Sequence, residues 1–157
     1  MNSYQEKLYW HIRHILKSHD DTDDVLQNTF VKVYRSIANF KEESKLYTWL
    51  YRIATNEAIT FLNKKARRKN ISSGELQEQF INNLTSDVYF EGDEIQITLQ
   101  KAIHALPEKQ QQVFTMKYFQ DLTYDELSEI LDTSVGALKS SYHIASKKIT
   151  AYIKTHV

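Results

Sequence analysis

Tyr47, Trp49, Arg52 and Asn56 fall in one short run, Tyr47-Thr-Trp-Leu-Tyr-Arg-Ile-Ala-Thr-Asn56. Aromatic rings beside a guanidinium and an amide suit single-stranded nucleic acid, because bases stack on rings while cations follow the backbone. The basic stretch Lys64-Lys65-Ala66-Arg67-Arg68-Lys69 extends that chemistry. The plainer reading makes the aromatics core residues and the cations a solvated helix end that the dipole favours. Near the C-terminus stands a second donor-rich set, Lys139, Ser140, His143 and Lys147. Side chains of this reach hydrogen-bond phosphates and base edges. No carboxylate pair, metal set, nucleophile or glycine-rich phosphate loop supports an enzyme, and no cofactor is implied.

Two other clusters carry less. His19-Asp-Asp-Thr-Asp-Asp24 lacks the glycine and distal glutamate of an EF-hand loop. No second acidic motif accompanies it to hold a magnesium-diphosphate group. Carboxylates placed directly before an apolar-periodic run instead cap a helix and offset its positive end. Asp24 lies far enough along to face a basic partner sideways. His11 and His14 sit one turn apart, without a carboxylate or cysteine to complete a metal set, and read as helix-surface residues.

The elements that position these side chains follow from periodicity. Thr123 and Glu126 form a capping box for a helix with Leu127, Ile130 and Leu131 on its apolar side. Asp132-Thr133-Ser134 breaks the pattern, and Ser134 can cap a longer helix whose apolar stripe is Val135, Leu138, Tyr142, Ala145 and Ile149. This is a helix-turn-helix pattern, with a plain helical hairpin as its bland counterpart. Upstream, helices are expected over 4–18, 21–37 and 45–69. In the last, Leu46, Leu50, Ile53, Ala54, Ala58, Phe61 and Leu62 form the core side. Tyr47, Thr48, Tyr51, Arg52, Thr55 and Asn56 are expected on the outside, with Trp49 near the boundary. Residues 70–93 read as a linker, with at most a weak helical turn around Leu76 to Leu84. Helices over 95–106 and 107–119 follow, with Pro107 at the first helical position.

The 157 residues include three glycines, one proline and no cysteine, which points to an all-α chain without disulfides or thiolate metal sites. No apolar run approaches transmembrane length and no signal-peptide h-region is found, so a cytoplasmic location is expected. The zero net charge hides segregation. Residues 1–69 hold 13 Lys and Arg against 8 Asp and Glu; residues 70–100 hold six acids and no base; 101–157 hold seven bases and six acids. Basic ends flanking an acidic middle are a pointer to partners.

Three stretches together resemble the extracytoplasmic-function group of bacterial RNA polymerase sigma factors. Asp21-Thr-Asp-Asp-Val-Leu-Gln-Asn-Thr-Phe30 is similar to the family's region 2.2, and Tyr47 to Asn56 with the basic run is similar to regions 2.3 and 2.4. Leu106-Pro107 through Lys148, including Ser134-Val-Gly-Ala-Leu-Lys-Ser140, resembles region 4. The likeness implies two small helical domains, a three-helix region 2 over 1–69 and a four-helix region 4 over 94–157, joined by a flexible acidic linker over 70–93.

The resemblance also implies roles. Asp24, Gln27, Asn28, Phe30 and Val31 would contact the β′ clamp helices of core RNA polymerase. Phe40, Lys41, Ser44 and Tyr47 would hold a base flipped from the minus-ten element, while Trp49, Arg52 and Asn56 help open the duplex. Lys139, Ser140 and His143 would meet the minus-thirty-five element, with Ser134, Ala137 and Lys147 near its backbone. The region 4 half would sit on the β flap, and a separate anti-sigma protein would hold the chain inactive. Asn28 stands where the family often has an acid, and Ser141 and Ile144 where arginines are frequent. Fewer phosphate contacts imply weak DNA binding by the free chain, with polymerase tethering both halves. The competing reading is a helix-turn-helix regulator binding a palindromic duplex as a homodimer.

Overall fold

Apolar residues spaced three and four apart build eight α-helices within the described residues, which in this computed structural model are 2–40, 45–82 and 94–156. The first, α1 (Asn2–Leu16), buries Leu8, Ile12 and Leu16 and ends at Lys17, whose φ of 67° takes the chain out of the helix. Ser18 caps α2 (His19–Ser36) by accepting from the Asp21 N–H at 3.4 Å. Asp20 and Asp21 occupy its first turn, where the macrodipole favours carboxylates. Asp21 also takes the Lys65 ammonium at 2.5 Å, tying α2 to α3 (Leu46–Arg68). A single 3-10 turn, Ile37–Asn39, closes α2.

Helices α1, α2 and α3 pack on one another. The stretch expected to be linker differs in part. Residues Ser73–Asn82 form α4, which seats Leu76 and Ile81 in the core and sends Gln77 Nε2 to the Ile15 carbonyl at 2.7 Å. Polar composition masked this helix, because two apolar residues suffice when neighbours already supply the rest of a core. Residues 83–93 lie outside the described residues.

The second unit comprises α5 (Glu94–His104), α6 (Glu108–Gln120), α7 (Tyr124–Leu131) and α8 (Val135–His156). Pro107 stands one position earlier than expected, as the extended N-cap of α6 at φ −55° and ψ 149°. The capping box before α7 is complete: Thr123 Oγ1 accepts from the Glu126 N–H, and the Glu126 carboxylate accepts from the Thr123 N–H. Asp132 turns the chain through φ 51°, and Ser134 Oγ accepts from the Ala137 N–H at 3.2 Å to start α8.

One apolar cluster crosses the expected domain boundary. It joins Leu8, Ile12, Val25, Leu50, Ala54, Ala58 and Leu62 to Val113, Met116, Leu122, Leu127, Ile130 and Leu138. A smaller cluster of Ala102, Ile103, Leu106, Phe114, Ala145 and Ile149 holds α5, α6 and α8 together. The two halves are therefore docked, with α6 against α1, α7 against α3 and α5 against α4.

Docking explains two corrections. Thr48, Tyr51 and Thr55, expected on the outer side of α3, are buried, while Leu46 from the expected core side is exposed. Helix α3 packs against α1, α2, α4 and α7, so one apolar stripe does not describe it. His11, expected on the surface, is fully enclosed and donates from Nε2 to Thr55 Oγ1 at 2.7 Å.

Candidate nucleic-acid interface

Helix α8 presents its donors because its other side is fixed in the core. Leu138, Ala145 and Ile149 are buried, which turns Ala137, Lys139, Ser140, His143 and Lys147 outward, all exposed. Ser134, also exposed, stands at the helix start. The ring of Tyr124 on α7 lies under two ammonium groups, Lys117 at 4.8 Å and Lys139 at 5.8 Å. That places the Lys139 charge beside the helix that precedes the turn, where a helix-turn-helix crosses a phosphate backbone. Val135 and Tyr142 are half-buried and complete the stripe expected from spacing.

A second face lies on α2. Buried Thr22, Val25, Leu26 and Thr29 define its inner side. Asp24, Gln27, Asn28 and Val31 consequently share the exposed side, with Phe30 half-buried at its edge. Tyr34 continues this face at 83% exposure. Its position three residues after Val31 is the signal that could have placed it with the exposed set. With Val31 and Ile37 it leaves three large apolar side chains exposed on α2 and the 3-10 turn that closes it.

The start of α3 gathers the aromatics. Phe40 and Trp49 approach at 5.1 Å with planes tilted by 46°, and Tyr47 meets Tyr51 edge-on at 6.2 Å. Trp49 and Tyr47 are half-buried, and Arg52 and Asn56 are exposed. Lys41 and Ser44, assigned to the same base pocket, lie outside the described residues. Tyr51 belongs to the seam between the halves: its hydroxyl donates to Gln120 Oε1 at 3.0 Å, and burial raises its pKa to about 12. In the last turns of α3 and at its C-cap, Lys64, Arg67, Arg68 and Lys69 are exposed, while Lys65 is engaged by Asp21 and the Phe80 ring.

Burial also governs the histidines of α1. Desolvation lowers both His11 and His14 to about 3, with the Lys17 and Arg13 charges adding to the effect at His14. Lys17 itself falls to about 8 for the same first reason, its ammonium 3.4 Å from Gln100 Oε1 of α5. Among the described residues, no group of three or more His, Asp or Glu side chains is placed to hold a metal, and no helix is long and apolar enough to cross a membrane.

Comparison with known proteins supplies the frame for these faces. Residues 1–68 match the family model of sigma-70 region 2, and residues 96–149 match that of sigma-70 region 4. The sequence is 34% identical over 140 residues to an ECF RNA polymerase sigma-E factor of Haemophilus influenzae, covering 84% of this chain and 74% of that protein. It is 30% identical over 162 residues to an RNA polymerase sigma-H factor of Pseudomonas aeruginosa, covering 93% and 80%. Its fold is similar to that of the sigma factor RpoE of Bartonella quintana, solved with the anti-sigma factor NepR, at TM-score 0.73, 18% identity and coverage of 96% and 92%. CnrH, solved with the cytosolic domain of CnrY, gives TM-score 0.71 at 18% identity, covering 99% and 86%.

Proposed function

The chain belongs to the extracytoplasmic-function group of bacterial RNA polymerase sigma factors, and from that premise we propose how its surfaces divide the work. Its function is to direct promoter-specific transcription initiation as a subunit of RNA polymerase. The exposed side of α2, with Asp24, Gln27, Asn28, Phe30 and Val31, is the proposed seat of the β′ clamp helices, and Tyr34 extends it. The start of α3 handles the minus-ten element. Phe40 and Tyr47, with Lys41 and Ser44, hold a flipped base, while Trp49, Arg52 and Asn56 keep the strands apart. Unstacking a base costs a few kcal/mol, which aromatic stacking offsets. No step in this work forms or breaks a covalent bond.

The outer side of α8 reads the minus-thirty-five duplex through Lys139, Ser140 and His143, with Ser134, Ala137 and Lys147 at the phosphates. The domains proposed are 1–69 and 94–157, the acidic middle running along the basic RNA-exit path of the polymerase, with the second domain on the β flap. An anti-sigma protein is the proposed regulator, covering the α2 face, and the chain works without forming a stable homo-oligomer in the compartment where RNA polymerase acts, the cytoplasm. One observation supports this reading: the described residues proposed for each partner are exposed or half-buried and fall in three separate places, on α2, around the start of α3 and on α8. Pull-down with core polymerase followed by run-off transcription on a promoter library tests it. Polymerase-dependent transcripts from a defined promoter class are expected; absence of co-elution would overturn the assignment.

A further inference from the structure

The seam between the halves concentrates basic side chains that a charge would disrupt. Helix α1 supplies His11 and His14, and α5 supplies His104; with Gln77, Gln111 and Met116 they line a cavity of about 280 Å³ between the two units. The His14 ring stacks on Phe119 of α6, centroids 4.2 Å apart and planes 20° from parallel. The Thr55 hydroxyl donates its one proton to the Tyr51 carbonyl, so it accepts from His11 Nε2–H. His11 Nδ1 is therefore the bare nitrogen, and it is buried without a hydrogen-bond partner, as is His104 Nδ1. When charged, either ring carries an Nδ1–H in a space that offers it no acceptor.

The surrounding charges do little to relieve this. On α1 itself, Arg13 and Lys17 oppose a charge on His14, and Lys17 opposes one on His104 as well. Helix α3 faces the cavity with neutral Thr55 and Asn63, and Asp21 of α2 is engaged by Lys65. Glu78 of α4 favours a charge on His104, and Glu108 of α6 reaches the cavity wall. On α8, Lys148 is turned to Gln110 of α6 at 3.2 Å. Across the same seam α7 holds Arg52 by its backbone.

We propose that this seam is an autoinhibitory latch opened by protons: closed, it holds Arg52 on α7 and away from DNA, and charging of His14 and His104 parts the halves. The consequence for DNA rests on the role given to Arg52 above; the latch itself does not. The sign is fixed by linkage. His14 and His104 sit below their ordinary value of 6.5 while docked and regain it when solvated. Docking is thus at full strength above that value, and each histidine weakens it by up to about tenfold per pH unit as pH falls further. Lys17, lowered to about 8, is charged in both forms at neutrality and below, so it biases the equilibrium without adding a slope there.

Small-angle scattering of the full chain at pH 7.5 and 5.5, with far-ultraviolet circular dichroism on the same samples, tests the latch. At pH 7.5 a radius of gyration of about 15 Å is expected for a closed chain of this length. At pH 5.5 it should grow by several ångström at constant helix content, and the double variant His14→Gln, His104→Gln should stay closed. An open chain at pH 7.5, a closed one at both pH values, expansion accompanied by helix loss, or opening of the double variant at the same pH would each overturn the proposal. Anisotropy of a labelled minus-ten single strand separates the two readings. Opening without tighter DNA binding at pH 5.5 would leave the latch standing and remove the role of Arg52.

Discussion

The Arg52 guanidinium donates to the main-chain carbonyl of Glu129 from both Nε, at 3.1 Å, and Nη2, at 2.5 Å. A side chain proposed to work on promoter DNA is thereby held by the helix-turn-helix of the other half. Because the acceptor is backbone, the bond is independent of the Glu129 side chain. Glu129→Ala should change thermal stability by no more than about 0.5 kcal/mol, within the usual range for an exposed site. Arg52→Ala should loosen docking, read as a larger radius of gyration at pH 7.5.

Trp49→Ala should impair promoter opening while polymerase association persists. The ring is half-buried against Phe40 and apart from the α2 face. Permanganate reactivity of unpaired thymines in the polymerase–promoter complex reports opening. Equal loss of co-elution would contradict the separation of roles.

Asp24→Lys should release the chain from core polymerase on size-exclusion chromatography. Asp24 is exposed on α2, so the circular dichroism spectrum of the free chain should be unchanged. Retained co-elution would remove this surface from the interface.

Lys139→Ala should weaken binding to minus-thirty-five duplex by about 1–3 kcal/mol and relax the preference at the base pair it reads. The measurement is a titration against the promoter duplex and single-base-pair variants of it. Unchanged affinity and an unchanged preference would mean that Lys139 stays on the Tyr124 ring and reads no base.

Acid should destabilise the native chain through His11, enclosed and lowered to about 3. The native state binds fewer protons there than the unfolded one, so stability is complete above pH 6.5 and declines as pH falls toward 3. The slope should reach about 1.4 kcal/mol per pH unit for this residue. Denaturant melts between pH 7 and 5 should show it, and His11→Gln should make the decline shallower, even where the variant is less stable overall, leaving the share that His14 and His104 contribute.

Removing the α7 cap should cost about 1–2 kcal/mol. Thr123→Ala takes away the hydroxyl that receives the Glu126 N–H and leaves that backbone donor without its acceptor, while the Glu126 carboxylate keeps the Thr123 N–H. A lower melting temperature together with weaker duplex binding is expected, because α7 positions the start of α8.

The sequence by itself determined what depends on neighbours in the chain. Thr123 and Glu126 identify the cap because both bonds form within one helical turn. Leu138, Ala145 and Ile149 identify the inner side of α8, since a helix with one buried side has one stripe. The outward direction of Asp24, Lys139 and Lys147 follows from the same periodicity. What only the tertiary structure decided depends on where separate segments meet. Tyr51, Thr55 and His11 read as surface residues because each is polar and none interrupts a pattern, yet α6 and α7 lie over that side of the first unit. Helix α4 was hidden by its polar composition, and Lys17, Asn70, Asp121 and Asp132 supply left-handed turns without glycine. Local spacing fixes which side of a helix is apolar; it carries no record of a second neighbour that meets the same helix partly through hydrogen bonds and stacked rings, and that neighbour is what closes Arg52 against Glu129.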